Sequence, residues 1–109
     1  MAAMTSDQRY FEIVNTFLQR PGVTQQGQAF GSSALRVRGK MLATLSAGGA
    51  FVIKLPRQRV AALVAAGHGR PFQPGPGRVM KEWLELNAAS RQNWASLAEE
   101  ALAYVANAP

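Results

Sequence analysis

The chain has 109 residues, 48% of them hydrophobic and 17% charged, which fits one globular domain over 1–109 and excludes a disordered polymer. It has no cysteine and one histidine, His68, so disulfide frameworks, thiolate metal sites, a cysteine nucleophile and a multi-histidine centre within one chain are excluded; no metal or cofactor is expected. The net charge of +6 is unevenly placed, with no acidic residue between Glu12 and Glu82 and ten basic residues in that interval.

In chain order, Thr5-Ser6-Asp7 offers helix caps before a stripe of Tyr10, Phe11, Val14, Phe17 and Leu18, and Pro21-Gly22 closes this first helix. Residues 24–30 read as a short edge strand or a loop. Ala34–Arg38 alternates apolar and basic side chains, as a half-buried strand does. Arg38-Gly39 signals a tight turn into Lys40–Leu45, and Gly48-Gly49 a second turn into Phe51–Leu55. Three strands joined by such short turns form an antiparallel meander. Pro56 suits the start of a helix with Val60, Leu63 and Val64 inward and Gly67 as its cap.

Gly67–Gly77 holds four glycines and three prolines, which predicts a connecting loop that is neither helix nor central strand. Val79–Leu86 then alternates, with Val79, Lys81, Trp83 and Glu85 on one phase and Met80, Glu82, Leu84 and Leu86 on the other. Ser90 is the expected cap of a last helix that buries Trp94, Leu97, Ala98, Ala101, Leu102 and Val105. The order α-β-β-β-α-β-α gives an α+β fold of two layers, helices packed on an antiparallel sheet.

Several of these residues resemble a known family. Phe30-Gly31, Leu35-x-Val37-x-Gly39-Lys40, Lys54-Leu55-Pro56 and the run from Gly67 through Phe72-x-Pro74-Gly75-x-Gly77-Arg78 to Trp83 are similar to the TfoX N-terminal domain family. The likeness covers about residues 28–105 and is more distant to YjbR-like proteins. It implies a two-layer α+β sandwich in a small bacterial regulatory protein, and it supplies no catalytic residue. Ala29 and Leu42 depart from the family's usual methionine and phenylalanine, as core substitutions. The second helical domain of the competence regulators has no counterpart here, so a role in competence is not carried over.

Little chemistry follows from the motifs. Gly67-x-Gly69 lacks the ending of a phosphate loop, follows a helix, and sits beside prolines that remove backbone donors. His68 has no sequence-adjacent carboxylate, Glu82 and Glu85 fall on opposite strand faces, and Ser32 and Ser33 lack a nucleophile elbow. A non-enzyme is therefore expected. The basic middle is the stronger signal: Arg36, Arg38, Lys40, Arg57, Arg59, Arg70, Arg78 and Lys81 are the candidate contacts to nucleic-acid phosphates or to an acidic protein. Arg36 and Arg38 are expected on one strand face, while Arg57 and Arg59 oppose the local helix dipole, which suggests a reason beyond folding. No exposed aromatic is expected among these bases, so binding would be to phosphates and weakly sequence-specific.

Two other readings remain open. The acidic flanks could match the basic middle internally, through Glu82, Glu85, Glu99 and Glu100. The protein could instead be an interaction adaptor, a homodimer using an apolar sheet face; open sheet edges favour pairing, and edge charges oppose it. No apolar run approaches the roughly 20 residues of a membrane helix, and no basic-then-apolar leader begins the chain. A cytoplasmic protein without membrane contact is the expectation.

Overall fold

The computed structural model describes residues 5–25, 34–46, 49–75, 77–87 and 90–107. Phe30, Gly31, Ser32, Ser33, Gly48 and Pro76 lie outside them. Helix α1 spans Ser6–Phe17 and opens with a capping box, in which the Gln8 N–H donates to Thr5 Oγ1 and the Thr5 N–H to Gln8 Oε1. Its buried face is Tyr10, Ile13, Val14 and Phe17. Phe11, 63% exposed, and Leu18, 41% exposed, fall outside the expected stripe. They are seven positions apart and share a helix edge rotated away from the sheet.

Six strands follow: β1 (Val23–Gln25), β2 (Leu35–Val37), β3 (Lys40–Leu45), β4 (Phe51–Lys54), β5 (Arg70–Gly75) and β6 (Arg78–Leu86). Helix α2 (Arg57–Ala65) joins β4 to β5, and α3 (Trp94–Ala106) follows β6. The sheet order is β1-β2-β3-β4-β6-β5, antiparallel throughout. The expected meander is β2-β3-β4. The expected glycine–proline loop is instead an edge strand. A proline fits an edge strand where its nitrogen faces away from the single neighbour, and β5 has only β6 beside it. Of the ambiguous segment 24–30, Thr24 and Gln25 belong to β1 at the other edge, and the rest lies outside the described residues.

Glycine closes α2: Gly67 adopts φ 81°, its N–H donates to Val64 O, and the His68 N–H donates to Leu63 O. Asn93, not Ser90, caps α3 by accepting from the Ser96 N–H. Ser90 Oγ instead accepts from the Gln92 N–H one turn earlier.

Register separates the two sheet faces. Leu35, Ala43, Ile53 and Leu84 are successive partners, as are Leu45, Phe51 and Leu86, and all three helices share one core cluster with these residues. A bulge between β2 and β3 leaves Leu42 unpaired beside Ala43, and both are fully buried. Aromatic rings anchor the layer, with Trp94 stacked on Phe51 at 4.8 Å between centroids. The opposite face carries Thr44, Val52 and Glu85 in one row, and Arg36, Met41, Lys54 and Trp83 nearer the β2–β3 turn. Val52 is 1% exposed yet lies outside the helix-side cluster, as this register requires.

Candidate functional site

The topology gathers the chain's chemistry at the two ends of the sheet. At the first end lie the β2–β3 turn, the end of β4, the start of α2 and the start of β6. This end collects Arg36, Arg38, Lys40, Lys54, Arg57 and Lys81, all of them exposed or half-exposed. Arg78 opens β6 at the same end, paired in register with Gly75. Arg38 and Gly39 both take positive φ, 54° and 80°, so they form the two-residue turn of a tight hairpin. Arg38 therefore projects from the turn and does not share a strand face with Arg36, as the alternation had suggested. A left-handed arginine costs about 1–2 kcal/mol relative to glycine there.

Partner supply distinguishes these cations. Each acidic residue of the C-terminal third holds a base: Glu82 with Lys54 at 3.9 Å, Glu85 with Arg70 at 3.1 Å, Glu99 with Arg20 at 2.6 Å and Glu100 with Arg59 at 2.8 Å. Arg59 and Arg70 each donate two hydrogen bonds to their carboxylate, which raises both guanidinium pKa values, first through those bonds and then through the opposite charge. Arg59 thus has a partner 41 positions away, a structural reason for a cation at that helix start. Glu82 also accepts from the Tyr104 hydroxyl, whose pKa is raised by desolvation and then by that carboxylate. No salt bridge holds Arg36, Arg38, Arg57 or Lys81 among the described residues. Arg38 shares a hollow of about 220 Å³ with Arg20 and Glu99, but the Glu99 carboxylate is bonded to Arg20.

At the other end, a cleft of about 540 Å³ lies between the start of β5, the end of β6 and the segment before α3. Exposed His68 borders it, with Nδ1 2.9 Å from the Gln92 amide nitrogen. Glu85 lines the same cleft but is committed to Arg70, so His68 and Glu85 do not form an acid–base pair. Exposed Arg91 completes the rim. Arg9 fixes this wall by donating to Ser90 O at 2.7 Å and Gln92 O at 2.9 Å while lying 3.7 Å from the Trp94 ring centroid. Burial lowers the Arg9 pKa. Gly69 lets β5 approach β6, since a Cβ there would stand 2.9 Å from Glu85 O.

The structure thus separates the eight candidate contacts. Arg36, Arg38, Lys40, Arg57 and Lys81 converge on the end where Arg78 opens β6, Arg59 is bonded to α3, and Arg70 belongs to the opposite end. Trp83 was missed as an aromatic among the bases. It is half-exposed, pairs with Lys54 across β4–β6, and has the Lys54 Nζ 5.8 Å from its ring centroid. The signal was present in the phase that groups Lys81, Trp83 and Glu85, because the alternate phase ends in the buried Leu84 and Leu86.

Among the described residues there is no cluster of three or more His, Cys, Asp or Glu placed to hold a metal, and no helix long and apolar enough to cross a membrane. No family model, curated protein or solved structure matches the chain.

Proposed function

We propose that the protein is a small non-enzymatic binding module whose basic sheet end contacts the backbone phosphates of nucleic acid. The observation carrying this reading is that Arg36, Arg38, Arg57 and Lys81 meet at one end of the sheet while the acidic residues of the C-terminal third are bonded to other bases. From β2 to β6 the site crosses three strand spacings, about 14 Å, enough for several phosphates on one backbone. The left-handed Arg38 supports it further, since the turn holds a long cation at a position where glycine costs less.

Internal matching accounts for four of the bases and leaves this group over. The adaptor reading has less support, because the pairs Arg36–Met41 and Lys54–Trp83 on this face are mixed rather than apolar. Membership of the TfoX N-terminal family belongs to the same proposal; it rests on the Gly67–Trp83 motif and adds no site residue.

Anisotropy of a labelled random duplex from about 50 to 200 mM salt tests the proposal. Saturable binding that weakens steeply with salt and is lost in Arg36→Ala/Arg38→Ala is the expected result. Absence of binding at the lowest salt rejects it. Equal competition by polyglutamate at matched charge would redirect it to an acidic protein.

A further inference from the structure

The sheet face opposite the three described helices, beside the basic end, holds one more feature, an aromatic ring set among the cations. Trp83 lies on β6 in register with Lys54 of β4. The Leu55 N–H donates to Glu82 O, carrying that register one step further, so exposed Lys81 follows on the Trp83 face. Arg36 pairs with Met41 on β2 and β3 in the same part of this face. Glu85, the acidic residue two positions beyond Trp83, has its charge met by Arg70. The result is a half-buried indole between Lys81 and the Glu82-paired Lys54, with an arginine two strands beyond Lys54 and, among the described residues, no helix packed on that side.

Phosphates alone give such a site no use for an indole. In a duplex the base faces are stacked on each other and cannot reach a ring on a flat sheet, whereas an unpaired base can lie on it while its backbone follows neighbouring cations. Resting on the phosphate reading above, we infer that the preferred ligand is single-stranded nucleic acid, with a base stacked on Trp83 and backbone phosphates held by Lys81 and Arg36. Stacking accepts any base, so little sequence preference is expected.

The test compares a labelled 12-nucleotide oligothymidylate with a blunt duplex of equal phosphate number, using the full chain at fixed salt. The wild type is expected to bind the single strand more tightly. Trp83→Ala should weaken the single strand about tenfold and leave duplex affinity unchanged, while Trp83→Phe should retain most of the single-strand affinity. Thermal melting of both variants reports whether the fold persists. Indole fluorescence gives an independent reading: Trp94 is buried between Phe51 and Arg9, so quenching by the oligonucleotide should disappear in Trp83→Phe. If Trp83→Ala leaves single-strand affinity intact, or weakens both ligands equally, the stacking inference is wrong and the phosphate proposal stands. If the wild type binds neither ligand, both are wrong.

Discussion

The two ends of the sheet use the same side chains to opposite effect. At the cleft end, Arg9 is spent on two carbonyls and a tryptophan face, and Arg70 on a carboxylate across the strand pair. Of the cations there, Arg91 stays on the rim. At the turn end, Arg36, Arg38, Arg57 and Lys81 are in no salt bridge among the described residues, and the carboxylate of Glu82 is shared by Lys54 and the Tyr104 hydroxyl. An arginine's role is therefore decided by which acceptors the fold brings to it, and charge counts along the chain are blind to that.

The contrast can be broken at either end. The largest effect is expected for Gly69→Ala, whose methyl would press on Glu85 O and Leu84 Cδ1 at 2.9 Å. A loss of about 1–3 kcal/mol should appear as a lower melting temperature, with duplex affinity kept below the transition because the damage lies at the far end. Next comes Arg36→Ala/Arg38→Ala, which should leave melting almost unchanged while the slope of log affinity against log salt falls by about 2. Arg38→Gly sharpens the point. It removes the left-handed side chain, so denaturant titration should show a gain of about 1 kcal/mol while binding weakens. Glu85→Gln is the mildest. Its pair with Arg70 is 76% exposed on the arginine side and 16% on the glutamate side, and its loss should leave the melting temperature almost unchanged. Freeing Arg70 should also slightly strengthen polyanion binding at low salt.

Much of the fold was legible because it depends on local rules. Thr5-Ser6-Asp7, Arg38-Gly39, the Phe51–Lys54 run and Gly67 each announce an element boundary within a few residues. The β5 strand was not legible, since Pro71 and Pro74 forbid a central strand but not an edge, and edge position is fixed by tertiary pairing. The face of Arg38 was misread for a local reason: a turn residue at φ 54° leaves the strand's alternation. Partners 41 and 15 positions away, as for Arg59 and Arg70, leave no trace in spacing. The indole was hidden in plain view, because its phase could be read but the face left bare by the helices could not.

The insertion of β6 between β4 and β5 has a consequence for the nascent chain. β2, β3 and β4 can zip through short turns as each leaves the ribosome, but one edge of β4 has no neighbour until β6 is made. Phe51 has no stacking partner until Trp94 follows. At about 5–20 residues per second, that gap lasts roughly 2–8 s. During it the growing polypeptide presents an apolar sheet surface and an open edge, the interval in which a chaperone has most to protect.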